Sequence, residues 1–161
     1  MNEVFTPETM FITGSWEPIL MADIVDRTRD YLSDGYDYTI DVGTDSQKSG
    51  KIKFVTAVVV HKIGKGGIFF YHPVVSDTAN SMQGRIYMET AMSIDCATKL
   101  LELFVENDVL RDIAIHCDVG PYGKTREMIR EIVGYVNASG FCCKIKPDSV
   151  AACTVADRFT K

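Results

Sequence analysis

Four acidic residues stand at places where a buried strand end or helix face would ordinarily carry a neutral side chain. They are Asp45 in Gly43-Thr-Asp-Ser-Gln47, Glu89 in Arg85-Ile-Tyr-Met-Glu89, Asp118 in Ile115-His-Cys-Asp118 and Asp157 in Val155-Ala-Asp-Arg158. Carboxylates gathered in one place repel one another unless a cation or a shared proton lies between them. Three or four hard oxygen ligands suit Mg²⁺ or Mn²⁺ rather than zinc. A pair of such ions can activate water and stabilise the leaving oxygen of a phosphodiester. Taken singly, each acid reads as well as a solvated strand end or helix face. The chemistry depends on whether the fold brings the four together.

The elements that must do so can be read from hydrophobic period. Residues 1–15 form an irregular lead-in, and residues 16–161 one domain. From Glu17 to Asp34 the apolar positions Ile19, Leu20, Ile24, Val25, Tyr31 and Leu32 fall at helical spacing, with Ser15 as a cap and Pro18 in the first turn. Three strand-like runs follow, at 38–45, 51–60 and 68–75, separated by short turns that favour an antiparallel meander. Met82 to Phe104 predicts a long helix, 112–118 a short buried strand, Thr125 to Ala138 a helix and 141–146 a fifth strand, with a short helix after Pro147. Three antiparallel strands and two crossover units make a mixed five-stranded α/β sheet with helices on both faces, which is the ribonuclease H-like plan. In that plan the first and fourth strands are parallel neighbours, and their ends set Asp45 beside Asp118. Many unrelated functions share the plan, so it does not settle the chemistry.

Gly43-Thr-Asp-Ser-Gln47, Arg85-x-x-x-Glu89, Ile115-His-x-Asp118 and the stretch from Lys144-Ile-Lys-Pro-Asp148 to Ala156-Asp157 together resemble the YkuK family of ribonuclease H-like proteins, over roughly residues 16–161. The resemblance implies the fold. It also implies an acidic cluster used with Mg²⁺, as in ribonuclease H, Holliday-junction resolvases and transposases of the wider superfamily. The expected function is hydrolysis of nucleic-acid phosphodiester bonds, RNA, DNA or hybrid. Asp45 would bridge two ions, Glu89, Asp118 and Asp157 would complete their shells, and Lys124 or Lys146 would steady the substrate backbone. The competing reading is a non-catalytic ribonuclease H-like module for binding or assembly, favoured by the few basic residues near the site.

One ligand assignment stays open on the residues. Asp148 follows Pro147 at the sheet end where Asp118 lies, and an acid there also suits a helix start. Thr154-Val-Ala-Asp157 has capping-box spacing, which would begin the last helix near Thr154 and put Asp157 in its first turn. The Ala156-Asp157 pair looks like the Ala-Asp of the resolvases, so the resemblance favours Asp157.

Other features carry less. Asp41-Val-Gly-Thr-Asp-Ser46 also resembles the first phosphate hairpin of the sugar kinase, actin and Hsp70 superfamily, but those proteins enclose ATP between two such domains, and 161 residues supply one. Gly120-Pro-Tyr-Gly-Lys124-Thr125 has a P-loop ending, yet Asp118 stands where the motif needs Gly. His116 shares a strand face with Asp118 and can shuttle a proton or simply bond a buried neighbour. Arg85 lies one turn before Glu89 and can pair with it. Asp41, on the face of Asp45, is a candidate accessory ligand. Trp16, Tyr122 and Tyr135 are too scattered to define a base-stacking platform.

Composition bounds the rest. Apolar residues make up 46% and charged residues 24%, which excludes disordered and fibrous classes. No apolar run reaches the roughly 20 residues of a membrane span, and Met1-Asn2-Glu3-Val4-Phe5 lacks the basic start of a secretory signal. The five cysteines (96, 117, 142, 143 and 153) are an odd set without a C-x-x-C pair, as suits free thiols in a reducing cytoplasm. A net charge of -5 argues against a general nucleic-acid coat, but not against a nuclease whose acids are neutralised by metal.

Overall fold

The computed structural model describes residues 5–77, 81–109 and 112–161, apart from the side chains of residues 150 and 151. The first four residues, part of the expected lead-in, lie outside the described residues. The elements are β1 (Met10–Thr13), β2 (Pro18–Leu20), α1 (Met21–Tyr31), β3 (Tyr38–Ser49), β4 (Lys51–Lys62), β5 (Gly66–Ser76), α2 (Met82–Glu106), β6 (Ala114–His116), α3 (Ile129–Ala138), β7 (Cys142–Lys144) and α4 (Val150–Thr160). They form one mixed seven-stranded sheet in the order β2-β1-β5-β4-β3-β6-β7. The β3–β4–β5 meander is antiparallel, and β6 and β7 add to it in parallel through crossovers. This is the ribonuclease H-like architecture expected, with two more strands than the five predicted.

The extra strands correct the reading of the N-terminal region. The lead-in contains β1, which pairs with β5 and, through a tight turn, with β2. The expected helix from Glu17 therefore begins only at Met21, and Ser15 does not cap it. Ile19 and Leu20 satisfy a helical period and a strand alternation equally. Pairing of Phe11 with Ile19, both buried, decides for the strand. Pro18 suits an edge strand, where its missing N–H costs no ladder bond.

The meander strands are long because β-branched and aromatic residues alternate across two buried faces. Ile40, Val42, Phe54, Val58, Val60 and Phe70 join the main core with Ile24 of α1 and Met92, Cys96, Leu100 and Phe104 of α2. On the other face Val55, Ala57 and Tyr71 pack against Ala156 of α4. Ser81 caps α2 by accepting a bond from the Gly84 N–H at 2.9 Å. A single 3₁₀ turn, Arg126–Met128, precedes α3, so Lys124 lies in a loop rather than at the helix start expected from Thr125. Among the described residues, no helix is long and apolar enough to cross a membrane.

Candidate functional site

The site lies at a notch in the sheet. Gly43 is the partner of His116, where β6 ends, whereas β3 continues to Ser49. Two residues beyond that pair, Asp45 and Asp118 draw level. Asp45 is thus within β3 rather than at its end, as the sequence suggested. Beyond the notch β3 has no ladder partner on this side, so groups from both faces of the sheet can approach its edge.

From one face comes α4. It starts at Val150, so Thr154 does not begin it, and the capping-box argument for Asp157 fails. The helix is unbroken and still carries Asp157 to the notch, because it lies directly on β3. A Cβ added at Gly43 would be 2.9 Å from the Ala152 Cβ. The Ala152 N–H donates to His116 Nδ1 at 3.3 Å and ties the first turn of α4 to β6. Asp45, Asp118 and Asp157 then line a cleft of ≈ 460 Å³ together with Lys146, Ser149 and Cys153. Asp148 is exposed and does not line it.

From the other face α2 brings Glu89, buried, which accepts a bond from Ser46 Oγ at 2.5 Å. Glu89 and Asp118 border a packing gap with no room for a water, apart from the main cleft. Burial, followed by the charges of Asp118 and Asp157, pushes the Asp45 carboxyl up to about 7. Burial also pushes Glu89 up to about 8, with Asp45 and Asp118 adding to the effect while the Ser46 hydroxyl and Arg85 oppose it. Asp45 is therefore coupled to all three other acids.

Two lysines already serve part of this cluster. Lys146 Nζ lies 2.7 Å from Asp118 Oδ1, and that bond raises the lysine's pKa. Lys161 Nζ is 3.3 Å from Asp157 Oδ2. As they stand, no three Asp, Glu, His or Cys side chains among the described residues are gathered closely enough to hold an ion. The donor set nevertheless fits a hard cation: all four groups offer oxygen, and burial with neighbouring carboxylates pushes two of them up, an effect that a cation would oppose.

Other predicted residues sit apart. Lys124 is exposed and outside the cleft. Asp41, the candidate accessory ligand, is on the face of Asp45 but does not line the cleft: its Oδ2 accepts from Thr39 Oγ1 at 3.0 Å, and its Oδ1 stands 3.0 Å from His116 Nε2, out of hydrogen-bond alignment. His116 accepts the Ala152 N–H at Nδ1 and turns Nε2 toward Asp41 rather than into the cleft, so its place is to anchor α4 and not to shuttle a proton at the site.

Sequence reading missed the basic hairpin beside the site. In the β3–β4 register Gln47 pairs with Lys53 and Ser49 with Lys51, which sets both lysines on the face of Asp45. Alternation from the Ser49-Gly50 turn was the signal that locates them.

A family model described as Ribonuclease H-like matches residues 20–161. The chain is 32% identical to the uncharacterized protein YkuK of Bacillus subtilis (strain 168), over 94% of this chain and 97% of that one. No solved structure matches it significantly. The chain belongs to the YkuK family of ribonuclease H-like proteins.

Proposed function

We propose that this protein is a Mg²⁺- or Mn²⁺-dependent nuclease that hydrolyses phosphodiester bonds of nucleic acid at the notch. The observation that carries the reading is the meeting of Asp45, Asp118 and Asp157 in one cleft, with Glu89 behind them, at the cost of two carboxyls pushed up to about 7 and about 8. A buried cluster of mutually repelling carboxyls in a cleft is the arrangement that a cation site requires. Bound there, one or a pair of divalent ions would activate water and stabilise the leaving oxygen. Asp45, coupled to the other three acids, is the candidate shared ligand. Ser46 orients Glu89, and the Ala152–His116 bond holds α4 and thereby Asp157 in reach. Lys51 and Lys53 offer phosphate contacts on the same face, and Lys146 would be free to contact the substrate backbone if Asp118 held a cation instead. The five free thiols suit a reducing cytoplasm.

The second reading, a non-catalytic binding module, is favoured by one observation: Lys146 already neutralises Asp118. An assay with Mn²⁺ across single-stranded, duplex, hybrid and branched RNA and DNA decides between them. Hydrolysis that is lost in both Asp45→Asn and Asp118→Asn supports the nuclease. Full activity in either variant, or inactivity of the wild type on every substrate, refutes it.

A further inference from the structure

The turn between β1 and β2 places a tryptophan where turn chemistry calls for glycine. Trp16 N–H donates to the Thr13 carbonyl at 3.0 Å, and Thr13 N–H donates to the Glu17 carbonyl at 2.8 Å, as in a hairpin whose tight turn ends on one left-handed residue. That residue is Trp16, at φ 66. The Thr13 hydroxyl accepts from the Ser15 and Glu17 N–H groups, both at 3.2 Å, so the turn is held in this form. A bulky side chain in the left-handed region is strained, and glycine would adopt it freely.

Packing does not explain the choice. Trp16 remains 73% exposed, and its ring meets Phe159 of α4 edge-on at 5.7 Å. Phe159 is already seated without it, stacked on Tyr71 at 3.8 Å between centroids and touching Phe69 at 5.8 Å. Trp16 therefore presents a free indole face over an aromatic base that does not need it.

The surroundings indicate what covers that face. Phe159 is two residues from Asp157, so the aromatic group and the acidic cleft flank the same turn of α4 from opposite sides, with Arg158 between them. Arg158 lies 6.0 Å from the Phe69 ring. On the α1 side of the turn, across the sheet from α4, lies a cavity of ≈ 490 Å³ with Gly14, Ser15, Arg27, Asp30 and Phe69 in its walls. An exposed indole whose aromatic support carries a guanidinium on the α4 side matches a chain of flat rings linked by anions. We propose that Trp16 is a stacking shelf for an unpaired base of single-stranded nucleic acid, which reaches it from the acidic cleft along the α4 side of the sheet. This rests on the nuclease reading for its substrate class and adds where and in what strandedness the substrate is held.

Trp16 is the only tryptophan in the chain, so its fluorescence reports the contact directly. Short oligothymidylate and oligouridylate, titrated into the full chain in Mg²⁺-free buffer, should quench that fluorescence saturably. Trp16→Gly should weaken their binding about tenfold or more, measured by anisotropy of a labelled oligonucleotide, while leaving the melting temperature equal or higher. Trp16→Phe should recover part of the affinity. Unchanged affinity in Trp16→Gly, binding without quenching, a marked fall in melting temperature, or an effect on self-association alone would each overturn the shelf. The two readings fail separately. Hydrolysis that survives in Trp16→Gly with unaltered KM removes the shelf and leaves the nuclease. Quenching by oligonucleotides that are never cut removes the nuclease and leaves the shelf.

Discussion

At the scale of single residues the acidic cluster makes a prediction about pH. The carboxyls of Asp45 and Glu89 have folded values of about 7 and about 8, above their ordinary 3.8 and 4.5. The folded state therefore binds more protons than the unfolded chain between those limits, and stability falls as pH rises through them. Their stabilising contribution is fully present below about 4 and is lost by about pH 8. In EDTA the melting temperature should decline from pH 5 to pH 8, and Asp45→Asn should flatten the decline and raise the value at pH 8. Saturating Mn²⁺ should reverse the trend, because the ion binds the deprotonated groups. At about 100 times its dissociation constant it should add roughly 2.7 kcal/mol. A wild-type melting curve that ignores Mn²⁺ across this range would show that the acids are not ligands. The nearness of Asp45 to Asp118 is legible in the order of strands alone. The basic face of Lys51 and Lys53 is legible only once the register is known, because two lysines in a polar stretch are otherwise a solvated strand.

At the scale of elements the decisive contact is that of α4 with β3. Sequence reasoning reached Asp157 through a helix start at Thr154, whereas the helix starts at Val150 and delivers Asp157 by lying close to the strand. The signal was present in Gly43 and Ala152, but only a structure shows that these two small residues face each other. Gly43→Ala forces two methyl-sized groups to 2.9 Å, so the helix must lift. Overpacking of this kind should cost about 1–3 kcal/mol. It should also weaken the Mn²⁺-induced rise in melting temperature while the far-UV circular dichroism stays unchanged. A Gly43→Ala protein with wild-type Mn²⁺ response would show that the helix height does not set the site. The hairpin β1–β2 escaped the sequence because strands of four and three residues are too short to display a period.

At the scale of the whole molecule that hairpin is part of the folded unit rather than a lead-in. Phe5 and Phe11 are fully buried and pack with each other and with the His72 ring of β5. A chain that begins at residue 16 should therefore fold poorly, and Phe11→Ala should lose about 3–5 kcal/mol in urea unfolding. A truncated chain with wild-type stability would restore the lead-in view. The sheet also tapers: β3, β4 and β5 have 12, 12 and 11 residues, while the outermost β2 and β7 have three each. A foreign strand finds almost nothing to pair with at either border. Among the described residues, open main chain remains along β5 outside its two pairs with β1 and along β3 beyond Gly43, where Asp45 and Asp118 stand. An intruding strand would have to desolvate these carboxyls, which disfavours pairing along the β3 stretch. Neutralising them would yield a protein that melts higher yet clumps more readily when concentrated.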